Sequence, residues 1–232
     1  LLAESYEISG DGLEITYVIR DDVHFSDGIP VTADDVMFTY ETIMNPAVDA
    51  SNFANMYEVI DSVVKVNERT VKFIMKRPYF KALELTSFWD IGIHPKHIYE
   101  FDDAAEFNNR VSNPVGSGPY VFEKWDHGSK IVLSRNKNYW GRKPRLKKVI
   151  YRFIPNDVAR LQALRAYEVD MIIPSQEQFA ELLADEEFNE EFDCIKYWNP
   201  GAPFYFIGWN QEVPFFADRK VRLALTHLVN RP

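Results

Sequence analysis

Two histidines three residues apart, His94 and His97, have the spacing in this chain that comes nearest to a metal-binding motif. Zinc or nickel needs three or four converging donors. Pro95 disfavours a regular helix between the two histidines, Cys194 is far away in sequence, and His24, His127 and His227 are scattered. A structural or solvated pair is expected, and no metal site. Gly116-Ser117-Gly118 has the composition of a nucleophile or phosphate loop. It lacks both the G-x-S-x-G spacing of a nucleophile elbow and the Gly-Lys-Ser/Thr ending of a phosphate loop. A tight turn between Pro114 and Pro119 is expected instead, with glycine supplying backbone angles that other residues avoid. The adjacent acids Asp21-Asp22, Asp34-Asp35 and Asp185-Glu186-Glu187 do not suit glycoside chemistry, which places two carboxylates across a scissile bond. Neighbours on a strand point to opposite faces, and on a helix they diverge by about a third of a turn. No catalytic set and no cofactor motif emerges.

Aromatic residues beside irregular segments are the remaining ligand-binding candidates. They are Phe53 and Tyr57 after the first helix, Trp89 with Asp90 before Pro95, and Tyr205, Trp209 and Asn210 around a late strand. Small-molecule sites are concave, mostly apolar and finished by a few polar groups, and aromatic rings suit such walls. Core packing is the competing role for each. Tyr57 and Asn210 stand out because their polar tips can serve backbone groups of a solute.

The 232 residues, 46% of them hydrophobic, suffice for one sizeable core or two modest ones. With 17 Phe, 12 Tyr and 5 Trp, the aromatic side chains belong in a core or a ligand-facing wall. The formal charge of −9 is spread along the chain and argues against nucleic acid as a partner. The single cysteine, Cys194, has no internal disulfide partner and is expected as a small buried strand residue. No apolar run approaches the roughly 18 residues of a membrane helix, and no basic and apolar leader opens the chain. Leu1 begins inside a sheet-like pattern and the last helix is still running at Arg231-Pro232, so the chain reads as a fragment.

These residues must be held by mixed strands and helices. Leu13, Ile15, Tyr17 and Ile19 alternate with Glu14, Thr16, Val18 and Arg20 as one strand, paired through Gly10-Asp11-Gly12 with a strand near Ser5 to Ile8. Phe25-Ser-Asp-Gly28 is a loop, and Thr32 caps a helix with Asp35 in the capping-box position and Val36, Tyr40, Ile43 and Met44 on its apolar face. Asp34 and Asp35 are read as its solvated first-turn charges. Further hairpins flank Asn67-Glu68-Arg69 and Asp126-His127-Gly128-Ser129, Pro78 ends the first of them, and residues 148–154 alternate again. Helices are expected from Asn156 or Asp157 to Ala166, after the capping box Ser175/Gln178, and after Asp218. Residues 169–173, 193–198 and 205–209 read as strands. Without a regular βαβ rhythm, the fold class is α+β, or mixed α/β.

An ordered run in the second half carries more than any single residue. It comprises Asn113-Pro-Val-Gly-Ser-Gly-Pro-Tyr120, Asn136-Lys-Asn-Tyr-Trp-Gly141, Pro144-Arg-Leu-Lys-Lys-Val-Ile-Tyr-Arg-Phe-Ile-Pro155 and Ala159-Arg-Leu-Gln-Ala-Leu-Arg-Ala-Tyr-Glu-Val-Asp-Met171. With Ile19-Arg-Asp-Asp-Val-His-Phe-Ser-Asp-Gly28 before it and Phe206-Ile-Gly-Trp-Asn210 and Asp218-Arg-Lys-Val-Arg-Leu-Ala-Leu225 after it, the chain resembles family 5 of the bacterial extracellular solute-binding proteins. These feed dipeptide, oligopeptide and nickel ABC importers.

The resemblance implies a periplasmic or lipid-anchored receptor, a truncated periplasmic-binding-protein-like fold, and two lobes that close on a peptide or similar solute for delivery to a membrane permease. It divides the chain into a hairpin-rich smaller lobe, residues 1–145, and part of a larger lobe, residues 146–232, leading into a C-terminal lobe that the fragment lacks. One wall of the site is expected here and not a complete site. A solute-sensing domain of a transcriptional regulator with the same fold is the alternative, and an enzyme ranks last for want of a catalytic set.

Overall fold

The computed structural model describes residues 2–87, 91–109, 114–197 and 206–229. Its internal contacts divide it into two compact units that meet in sequence at Arg160/Leu161. The first unit opens with the expected hairpin, β1 (Ala3–Ile8) and β2 (Glu14–Ile19), with Gly12 at φ 70° in the turn, a backbone region open to glycine at no steric cost. Then come α1 (Ala33–Met44) and α2 (Ser51–Tyr57), followed by a second hairpin, β3 (Ile60–Asn67) and β4 (Thr70–Met75). The four strands form one antiparallel sheet in the order β1-β2-β4-β3, with Ile15 opposite Phe73 and Tyr17 opposite Val71 at its centre. Because side chains alternate across a strand, Ile15, Ile19, Val71, Phe73 and Met75 all fall on one face, where they pack with Val36, Tyr40 and Ile43 of α1. On the other face, Lys72 reaches Glu14 at 2.7 Å.

The N-terminus of α1 is held by more than a surface cap. Asp35 is 5% exposed and accepts hydrogen bonds from Thr32 N (2.8 Å), Thr32 Oγ1 (2.9 Å) and, across the fold, Lys96 N (2.8 Å). One turn on, the fully buried Thr39 hydroxyl donates to Asp35 O at 2.7 Å and accepts from His94 N at 2.9 Å. Two side chains of α1 thus satisfy the backbone of the irregular 91–96 segment. The solvated-face reading holds for Asp34, which pairs with Lys65 at 2.7 Å. It fails for Asp35, whose buried carboxylate is matched by a third donor remote in sequence.

Three short helices follow: α3 (Ala82–Thr86), α4 (Lys96–Tyr99) and α5 (Ala104–Asn108). The Phe25–Gly28 turn sits against α4. Phe25 is fully buried with Val23 and Val31, Gly28 takes φ 93°, and Asp27 meets His97 Nε2 at 2.8 Å. Ser26 N donates to Gly116 O at 2.9 Å, which ties this turn to the approach to the second sheet. That sheet is β5 (Tyr120–Asp126), β6 (Lys130–Arg135) and β7 (Lys148–Arg152), antiparallel in chain order. Gly116 and Gly118 do not have the positive φ expected of them, since residues 117–119 form a bend and not a left-handed turn. The buried Asn136 closes this corner: its Nδ2 donates to Gly118 O, its N–H to Pro119 O, and its Oδ1 accepts from Asn138 N, all at 2.9 Å.

Helix α6 (Asp157–Arg165), capped by Asn156 Oδ1, ends at Tyr167 in the left-handed region, φ 56°. In the second unit, Leu164 packs with Leu182 of α7 (Gln176–Ala184) and Phe188 of α8 (Glu186–Glu191), and Cys194 lies half-buried beside them. The Ser175/Gln178 capping box is present, and Asp185 caps α8 through Phe188 N at 3.1 Å. The segments expected as strands at 169–173, 193–198 and 205–209 form no strand among the described residues. Met171 and Ile173 are 79% and 71% exposed, so the segment is no buried strand. Alternation marks a strand only where a partner supplies the ladder, and no such partner is described. Residues 198 and 205 lie outside the described chain. The unit ends in α9 (Pro214–Ala217) and α10 (Arg219–His227), the latter capped by Asp218 as expected.

Replacing Asp35 with Ala leaves three donors without their acceptor and is expected to lower the unfolding free energy by about 2–4 kcal/mol, and Thr39→Val by about 1–2 kcal/mol. Urea denaturation reads both. Losses under about 0.5 kcal/mol would mean that water serves those donors equally well.

Candidate ligand-binding site

A cavity of about 620 Å³ opens in the first unit where the end of α2 and the start of β3 face the exit of β4 and α3. Its apolar wall is Tyr57, Val59, Tyr79 and Leu85, with Met56, 50% exposed, at the rim. Lys76, Arg77 and Lys81 also line it, with Glu58 and Glu84. The local sequence explains this. Strand β4 stops at Met75, the chain bends at Lys76 and Arg77 ahead of Pro78, and Lys76 N donates to Val59 O at 2.9 Å. Consecutive strand residues would point to opposite faces; past the strand end, both cations line one cavity. Lys81 pairs with Glu84 at 3.6 Å.

Of the residues nominated from sequence, Tyr57 is the one that the described structure places in this cavity, where it is 2% exposed. Phe53 lies one turn earlier on α2, 39% exposed and outside the lining. Trp209 and Asn210 belong to the second unit. The Trp209 ring is 5.3 Å from that of Phe216, and Asn210 Oδ1 accepts from Glu212 N at 3.0 Å, which makes Asn210 a turn-former before α9. Trp89, Asp90 and Tyr205 lie outside the described residues. Sequence reasoning missed Lys76, Arg77, Tyr79 and Lys81, although two cations and an aromatic flanking a strand-ending proline were legible as a local signal.

A second cavity, about 350 Å³, is lined by His94, Tyr99, Phe107 and Val115 among others. The His94 ring meets Tyr99 and Phe107 edge-on at 5.6 and 6.0 Å, and its buried Nδ1 has no hydrogen-bond partner among the described residues. Burial pushes the imidazole below its ordinary value, because a charged ring there would lose its hydration. His97 turns instead to Asp27. Burial alone would raise the Asp27 carboxyl, but hydrogen bonds from His97 and Ile29 N outweigh it and hold the group below the usual range. The two histidines therefore serve different partners, and no group of three or more His, Cys, Asp or Glu converges for a metal among the described residues.

The mixed α/β architecture matches solved structures along nearly the whole chain. Residues 1–232 match the family described as bacterial extracellular solute-binding proteins, family 5 Middle, and the chain belongs to that family. The oligopeptide-binding protein AppA of Bacillus subtilis is 33% identical over 99% of this chain, which spans 41% of that relative's length. The solved structure of that protein with a nonapeptide has a TM-score of 0.77 at 31% identity, covering 97% of this chain and 44% of that one. NikZ from Campylobacter jejuni, solved with Ni(L-His), gives a TM-score of 0.78 at 28% identity over 99% of this chain and 44% of the other.

The unfolded chain takes up a proton at histidine near pH 6.5, whereas His94 resists it when folded. Between about pH 6.5 and the lower folded value, the unfolded state binds more protons, so stability falls as pH drops through that window and levels off below it. A His94→Phe variant should show a flatter stability profile between about pH 7 and pH 5. Identical slopes for the two proteins would mean that His94 is not held neutral.

Proposed function

We propose that this chain is part of the substrate-binding component of an ABC importer, which captures a peptide between two lobes and delivers it to a membrane permease. The match of the whole chain to one solute-binding family carries this reading. A peptide is favoured over other solutes because the relative at 33% identity is an oligopeptide-binding protein and its structure holds a nonapeptide. Recognition through backbone hydrogen bonds suits such a ligand, since side chains can then vary. Residues 1–145 form the smaller lobe in this reading and residues 146–232 part of the larger one. The solute-facing set nominated from sequence is Phe53, Tyr57, Trp89, Asp90, Tyr205, Trp209 and Asn210; Phe53 and Asn210 offer exposed surface, whereas Tyr57, 2% exposed, faces the cavity beside α2 instead. Binding energy shifts an open and closed equilibrium and lowers no chemical barrier, so the protein is a receptor and not an enzyme. It works in the periplasm or outside the cell, held near its permease.

A ligand that binds only the native state stabilises it by about 2.7 kcal/mol at a hundredfold excess over Kd. Di- to nonapeptides in excess should raise the melting temperature of the full-length protein by about 2–4 °C. An unmoved transition across a mixed peptide library would end the peptide assignment. Native mass spectrometry of the purified protein reads the same point through a copurifying solute.

A further inference from the structure

We propose that the 620 Å³ cavity beside α2 and α3 is a binding site in its own right, separate from the transported peptide's, for a small apolar monocarboxylate. Its residues all fall in the first unit, so it is complete without the second. The volume lies within the range of small-molecule sites.

Three features define the ligand. Lys76 and Arg77 line the cavity side by side, and neither side chain has an acid partner among the described residues. An arginine fork presents parallel donors that match a carboxylate, and a neighbouring ammonium adds a point charge. Next, Lys81 is already engaged by Glu84, which leaves Glu58 to offset one of the two remaining cations. The surplus is a single positive charge in a chain of formal charge −9, and it fits one carboxylate better than a phosphate dianion. Finally, part of the lining is apolar: Tyr57, Leu85 and Tyr79 can face an aromatic or branched group, with the Met56 thioether at the rim adjusting to its shape. The Tyr79 ring is braced edge-on by Phe80 at 5.2 Å.

The test is calorimetric titration of the full-length protein with N-acetyl-phenylalanine, which keeps a carboxylate and an aromatic group but has no ammonium. Saturable one-to-one binding is expected, weakened about tenfold or more for N-acetyl-phenylalaninamide and in a Lys76→Gln/Arg77→Gln variant. Both substituted residues are exposed, and the unliganded melting temperature of the variant reports its folding. Tyr79→Ser supplies a second variant, expected to weaken the acid and the amide alike by removing the apolar wall. No binding up to about 10 mM, equal affinity for acid and amide, or an unchanged double variant would each overturn the proposal. Loss of the probe when a transported peptide saturates the protein would place it in the peptide's cleft and overturn a separate site. Because peptides and probe are titrated independently, failure here leaves the transport reading standing, and the converse also holds.

Discussion

The first unit depends on how two side chains of one helix satisfy a backbone that forms no regular structure. Residues 91–95, which lead into α4, have no ladder or helix of their own, and a buried N–H left unpaired there would cost about 1–3 kcal/mol. Asp35 and Thr39 supply the acceptors, at 2.8 Å to Lys96 and 2.9 Å to His94. The consequences propagate along the chain. Fixing Lys96 sets the start of α4, which aims His97 at Asp27; the Asp27 turn buries Phe25; and Ser26 from that turn holds Gly116 on the way to the second sheet. The same constraint leaves His94 facing Tyr99 and Phe107 with no proton-bearing partner for its Nδ1 among the described residues.

What could be read from the sequence follows the range of each interaction. Hairpins at 3–19, 60–75 and 120–135, and caps at Thr32, Ser175 and Asp218, were legible because turn residues and caps act within a few positions of themselves. Asp35 was legible as a cap but not as a buried hub, because its third donor is Lys96 and nothing local announces that pairing. Residues 169–173 and 193–198 carry the apolar content of short strands, yet a strand is a relation between two segments and only one of each pair was in view. The 620 Å³ cavity was hidden for a related reason. Tyr57 and Arg77 meet through the β3–β4 register, in which Ile60 lies opposite Met75, so the wall appears only once the sheet is built.

The ordered run from 113 to 171 identifies the family, and its described residues are structural. Asn136 joins three backbone groups at the entrance to the second sheet, Gly141 lies so close to the Tyr139 ring that a Cβ there would approach within 2.7 Å, and Leu164 enters the core of the second unit. A strong family signal can therefore rest on residues that secure a scaffold, without naming a single residue of a site. Lys76 and Arg77 read as ordinary surface cations in the sequence, and only the end of β4 brings both to the lining of one cavity.

The strand order β1-β2-β4-β3 has a consequence in time as well as in space. Each outer pair is a local hairpin that can close as soon as its own residues leave the ribosome, but the central seam joins Ile15 to Phe73 across two intervening helices. Loop-closure entropy must be met before that contact returns anything, which makes non-local pairing the slow part of assembly. Until the seam forms, two half-sheets carry uncovered edges and the apolar faces destined for α1. The nascent chain therefore passes through an interval in which its finished parts are stickier than the whole, and the length of that interval is set by the distance from the first hairpin to the second.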